Sequence, residues 1–219
     1  MSYYSNNEAY SETYKGYRIS IQYDGDPQNP RTEHDNVATM VCFHGRYNLG
    51  DDHSYSEPLD AVACICDVDY EEMADSGDRD EAMAKALAEY TGYVLPLYLY
   101  DHSGITIRTA PFSCPWDSGQ VGIIYISKET ADKYWPLNEG ETEAERSERI
   151  LTYMRCEVEE YDNYLTGQVY GYVITQPIED DDDDDEAEEI ESCWGYYGDY
   201  DTENGILSEA RSVVDGLND

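Results

Sequence analysis

Cys114, Asp117 and His102 are the residues of this chain whose types and spacing could do covalent chemistry. A thiol, an imidazole and a carboxylate are the parts of a cysteine hydrolase, in which the base lowers the cost of ionising the thiol and the carboxylate orients the imidazole. His102 lies in the turn Asp101-His102-Ser103-Gly104, and Cys114 and Asp117 lie in the loop PFSCPWDSG. No nucleophile motif opening a helix accompanies them, and acidic surroundings disfavour a thiolate. The competing reading gives His102 a turn hydrogen bond and makes Cys114 and Trp116 anchors of the loop between Pro111 and Pro115. No P-loop, dinucleotide fingerprint or zinc-protease motif is present, and no cofactor is expected.

The elements that must position these residues lie in the least charged stretch, Leu95 to Ser127. Leu95–Tyr100, Ile105–Thr109 and Val121–Ile126 are rich in Tyr, Ile, Val and Thr, which suit a half-buried pleated surface. They predict a sheet core, with the two candidate loops as its connections. Tyr17–Tyr23, Val37–Phe43 and Gly167–Thr175 predict further strands. From Ser56 onward, Pro58 in a first turn and Leu59, Val62, Ala63, Cys66, Tyr70 and Met73 at three- and four-residue spacing predict a helix, although the β-branched residues of AVACICDV also allow a buried strand. Asp78 with Glu81 forms a capping box ahead of a helix that Gly92 stops, expected to pack on the sheet starting at Tyr93. Ser127 caps a short helix. Thr142 with Glu145 caps a long one whose buried stripe is Ile150, Leu151, Met154, Val158 and Tyr161. Ile206 to Leu217 closes the chain with an amphipathic helix. The fold expected is α+β, mainly antiparallel sheet with several packed amphipathic helices: a flexible polar arm at 1–14, then one domain at 15–219 with an acidic loop at 179–191.

Metal motifs fall short. Asp24 and Asp26 begin like a calcium loop, but Asn29 stands where the EF-hand turn needs Gly, and in the Asp199, Asp201, Glu203 segment Gly205 comes one place late. His44, Arg46, His53, Asp51 and Asp52 share a segment without zinc-ligand spacing. Cys64 and Cys66 make a C-x-C half-site with no second pair, which favours packing. No metal is expected, and the six cysteines are expected as free thiols.

The charge is the strongest statement. Forty-nine acidic residues against 13 Lys and Arg give a formal net charge of -36 in 219 residues. On roughly 10,000 Å² of folded surface, that averages about a third of the charge density of duplex DNA, so only a concentrated face could match a phosphate surface. Such charge repels itself and calls for a basic partner or a cation-rich medium. The charge argues against direct nucleic-acid binding, for which a basic footprint is expected. The acidic positions of the long helix, Glu141, Glu143, Glu145, Glu148, Glu157, Glu159, Glu160 and Asp162, recur on turns ~5.4 Å apart, close to phosphate spacing. They are expected to face a partner, together with the tract Asp180, Asp181, Asp182, Asp183, Asp184 and Asp185. Twenty-three tyrosines would supply rigid contacts.

Three phrases, TMVCFHGRYNLGD, HSGIT...PFSCPWDSGQVG and SCWGYYGD, resemble a family of uncharacterised acidic proteins of phages, prophages and plasmids. The resemblance spans most of residues 17 to 200; the aspartate run lies outside the shared phrases. It implies a mobile-element protein at work in a host cytoplasm. No run approaches a membrane span, and the N-terminal segment lacks signal-peptide character. The leading expectation is a DNA-mimic inhibitor that blocks the nucleic-acid-binding groove of a host defence nuclease, such as a CRISPR effector or restriction enzyme. The alternatives are a Cys/His-dependent hydrolase or modifying enzyme, and a salt-adapted acidic protein. The oligomeric state stays open, a homodimer included.

Overall fold

The computed structural model describes residues 7–176, 188–201 and 205–217. In chain order the elements are β1 (Glu8–Tyr14), β2 (Tyr17–Tyr23), α1 (Pro30–Glu33), β3 (Thr39–Cys42), α2 (Pro58–Cys66), α3 (Tyr70–Ala74), α4 (Arg79–Glu89), β4 (Tyr93–Asp101), β5 (Ile105–Arg108), β6 (Ser118–Ile126), α5 (Lys128–Tyr134), α6 (Glu143–Thr166), β7 (Val169–Thr175), β8 (Glu189–Tyr197) and α7 (Ile206–Leu217). The fold is α+β with two four-stranded antiparallel sheets. The chain divides into two compact units: Met1–Asn29 with Asn163–Asp219, and Pro30–Asp162. The acidic tract at 180–185 lies outside the described residues.

The continuous unit holds the sheet β3-β6-β4-β5, the core expected from Leu95 to Ser127. Met40, Leu97, Ile107, Ile124 and Ile126 are almost wholly buried, as are Ile150 and Met154 of α6. Polar contacts track α6 along the sheet: Tyr93 Oη is 3.3 Å from Ser147 Oγ, Tyr161 Oη accepts from Gly50 N at 3.1 Å, and Asp162 accepts from Ile107 N at 2.7 Å. The start of α6 is a reciprocal capping box, with Thr142 N donating to Glu145 at 2.9 Å and Glu145 N donating to Thr142 Oγ1 at 3.3 Å.

The stripe from Leu59 to Met73 is two helices, not one. Asp67 takes a left-handed conformation at φ 55° and ends α2, and Asp69 then caps α3 by accepting from Glu72 N at 2.9 Å. Aspartate competes for the backbone in this way because its short carboxylate reaches nearby N–H groups. Leu59, Val62, Ala63, Met73 and Ala86 close a core among α2, α3 and α4, so α4 packs on two helices instead of the expected sheet.

The discontinuous unit holds the sheet β1-β2-β7-β8. Ile19, Ile21, Tyr170, Tyr172 and Ile174 of one face bury against Ile206, Ala210 and Val214 of α7. Residues 8–14, read as part of a flexible arm, form β1. They join β2 through Lys15 and Gly16, at φ 48° and 88°, the paired positive angles of a two-residue hairpin turn. Across β7 and β8, the Trp194 ring lies where a Cβ on Gly171 would meet it at 2.2 Å, so only glycine admits that ring.

Candidate functional site

The two sheet connections do bring His102, Cys114 and Asp117 together, but in an order that serves no cysteine nucleophile. His102 sits in a three-residue turn in which Ser103 and Gly104 take φ 60° and 150° and His102 N donates to Gly104 O at 3.0 Å. The Asp117 carbonyl is held by Asp101 N, which donates to it at 2.8 Å. The Asp117 carboxylate accepts from Cys114 Sγ at 3.5 Å and lies 3.6 Å from His102 Nδ1. The carboxylate therefore stands between thiol and imidazole, whereas a hydrolase needs the imidazole next to the thiol. Ser118 Oγ donates to the Cys114 carbonyl at 2.5 Å, which fixes the loop. Trp116 does not anchor it: its side chain is 92 % exposed.

The acidic helix departs further from expectation. Glu157 is 6 % exposed and belongs to the interior. Its Oε2 accepts from Arg31 Nη1 at 2.7 Å, and its Oε1 accepts from Val37 N at 2.9 Å and Ala38 N at 3.1 Å. The Arg31 side chain has no exposed surface. It also donates to both oxygens of Asp51 at 2.8 Å and to Ala38 O at 2.8 Å, so its fork is matched on every side. Burial works against the Arg31 cation, and the hydrogen bonds to Asp51 and Glu157 outweigh it and hold its pKa above the usual arginine range. Asp162 likewise turns inward, accepting from Thr106 Oγ1 at 2.8 Å as well as from Ile107 N. Burial raises its pKa despite those bonds.

Of the other carboxylates at 141–162 expected to face a partner, most are engaged locally. Glu141 pairs with Arg149 at 2.8 Å, Glu143 with Arg146 at 3.3 Å and Glu148 with Arg155 at 2.8 Å, while Glu160 lies 3.2 Å from His34. Glu145 is occupied by the cap. The exposed stripe of α6 carries Glu145, Glu148, Thr152, Arg155, Cys156 and Glu159, so between Glu148 and Glu159 there are ~16.5 Å without a carboxylate. That row does not reproduce phosphate spacing.

Among the described residues, the densest run of exposed carboxylates lies elsewhere, at residues 67–81, DVDYEEMADSGDRDE. Asp67, Asp69, Glu71, Glu72, Asp75, Asp78, Asp80 and Glu81 are all exposed, and none takes part in an ion pair among the described residues. Against Arg79 they give a net charge of -7 in 15 residues, about three times the chain's mean density. The preference of helix N-termini for acid accounts for the positions around the starts of α3 and α4; it does not account for Asp67 and Asp75. A charge window drawn along the sequence finds this segment. A search for helical rows misses it, because it is two helix starts and a turn.

Cations add little relief. Among the described residues, ten of the 13 lysines and arginines lie within ion-pair distance of a carboxylate. Lys85, Lys133 and Arg108 are the exceptions, and Arg108 sits 3.8 Å over the Phe112 ring. Among the described residues, no group of three His, Cys, Asp or Glu is arranged to hold a metal ion, and no helix is long and apolar enough to cross a membrane. Comparison with known proteins adds no relative: no family model, curated protein or solved structure matches the chain.

Proposed function

We propose that this protein is an acidic competitor of nucleic acid, which occupies the basic nucleic-acid-binding groove of another protein, a host defence nuclease being the class that fits a mobile-element origin. One observation carries the reading: eight exposed carboxylates at 67–81 without an ion-pair partner, in a chain whose own cations are mostly neutralised internally. Two carboxylates ~7 Å apart in water repel by about 0.6 kcal/mol, and salt screens this. A groove lined with Arg and Lys would relieve that repulsion and form charge-assisted hydrogen bonds at once. Association is then fast and salt-sensitive.

The test is duplex-DNA binding by a panel of purified restriction and CRISPR effector nucleases in the presence of the protein. Inhibition of at least one nuclease, reversed by excess duplex DNA and weakened by salt, is expected. The variant carrying D67N, E71Q, E72Q, D75N, D80N and E81Q, which leaves the caps Asp69 and Asp78 in place, should lose that inhibition. Full inhibition by this variant, or inhibition indifferent to salt and DNA, would overturn the reading.

A further inference from the structure

In the discontinuous unit, one end of the sheet gathers four tyrosine rings in a continuous chain. Tyr23 lies 5.1 Å from Tyr170, Tyr170 meets Tyr200 edge-on at 5.2 Å, and Tyr200 stacks with Tyr10 at 6.2 Å. The register explains the gathering. Tyr23 pairs with Tyr170 and Tyr170 with Tyr196, so the C-terminal ends of β2 and β8 flank the N-terminal end of β7. Each of those ends runs into an Asp-x-Asp turn, Asp24 to Asp26 and Asp199 to Asp201, in which the first carboxylate accepts from the third backbone N at 3.0 Å. Backbone bonds from Asp24 N to Val169 O and from Gly198 N to Gln168 O tie both turns to β7. Tyr170 and Tyr200 form the base, while Tyr23 and Tyr10 stay 43 % and 37 % exposed at the two ends.

We infer that the exposed ends of this tyrosine chain, Tyr10 and Tyr23, are a docking surface for arginine side chains of a basic protein segment, whose guanidinium planes lie on those two rings while the flanking aspartates take their N–H groups. The occupant follows from charge and shape together. Aromatic faces attract cations, arginine more often than lysine, because the guanidinium is planar and weakly hydrated. The aspartates give the rim the complementary sign. The same unit uses this chemistry once internally: Arg211 donates to both oxygens of Glu12 at 2.7 Å with its guanidinium 6.0 Å from the Tyr14 ring.

This inference rests on the proposed competition for a basic groove and names the side chain that the competitor reads. It is tested without any nuclease, by calorimetry on the full chain with two synthetic peptides of equal charge, an alternating Arg-Gly and an alternating Lys-Gly sequence. The arginine peptide is expected to bind roughly three- to ten-fold more tightly. Tyr10→Leu combined with Tyr23→Leu, which keeps apolar bulk, should bring the ratio close to one. D24N with D26N should weaken both peptides, and the six-site variant at 67–81 should leave the ratio intact. Equal affinities for the two peptides in the unsubstituted chain, or a ratio that survives the tyrosine substitutions, overturn the inference. A preserved arginine preference with no nuclease inhibited would instead remove the proposed target and keep the platform.

Discussion

Replacing Glu157 by alanine should destabilise the protein by about 4 kcal/mol. Three bonds disappear with the carboxylate: one from Arg31 at 2.7 Å and two from the backbone N–H groups of Val37 and Ala38. A hydrogen bond to a charged group contributes roughly 2 kcal/mol, and each buried N–H left unpaired costs about 1 kcal/mol or more. Removing one partner of a buried ion pair falls in the same range, about 3 to 5 kcal/mol. Asp51 remains bound to Arg31, which keeps the loss from being larger. Glu157→Gln keeps the volume and one acceptor but points an amide N–H at the guanidinium, so about half the loss is expected. Glu159→Ala, two residues on and exposed, should stay within ~0.5 kcal/mol. Urea unfolding followed by circular dichroism reads all three, and the alanine variant should also melt on the order of 10 °C lower. If Glu157→Ala and Glu159→Ala unfold alike, within about 1 kcal/mol, the buried network is not what holds this end of α6.

Three further outcomes follow. Stability should peak on the acid side of neutrality and fall below about pH 4: acidification relieves repulsion, while the pairs hold native carboxylates below their unfolded values. The causes are the Arg211 bond on Glu12, the Lys128 and Arg146 bonds on Asp132, the Arg149 bond on Glu141 and the Lys15 bond on Asp215. Groups with lowered pKa contribute stability above their unfolded pKa and lose it as pH falls through the folded one, so a urea midpoint that rises steadily from pH 5 to pH 3 would contradict this. Gly171→Ala should cost about 1 to 3 kcal/mol by forcing Trp194 off its seat, read as a change in near-ultraviolet circular dichroism alongside the urea midpoint. Cys114→Ala and Trp116→Ala should each leave stability within ~0.5 kcal/mol, because the loop is held by backbone and Ser118 contacts; a larger loss in either would return that loop to the core.

Much of the fold was legible because its signals are local. The alternation of Ile19 and Ile21 marks β2, the Asp78 and Thr142 boxes mark the starts of α4 and α6, and the apolar run from Leu95 marks the sheet. What escaped depends on partners distant in sequence. β1 has no apolar alternation, and its turn uses Lys-Gly where Asn-Gly or Asp-Gly is the usual signal. Glu157 sits among Glu159, Glu160 and Asp162 in sequence, and nothing local says that Arg31, 126 residues earlier, will take it inside. The candidate loop residues were read as lying on neighbouring sheet connections, and which of the three stands in the middle is a matter of side-chain geometry that spacing does not encode.

The Arg31–Glu157 pair also bears on how the chain is made. One unit is interrupted by the other: β2 must wait for β7, and Arg18 pairs with Thr175, so at ~5 to 20 residues per second of synthesis the first hairpin spends several seconds without its neighbour. Closing an open loop of that length costs about 4 kcal/mol of chain entropy. Arg31 is the second residue of the inserted unit and Glu157 is close to its last. Their bond holds the two ends of the insertion close together, so in a chain whose inserted unit is already closed the long-range pairing of β2 with β7 becomes a short one.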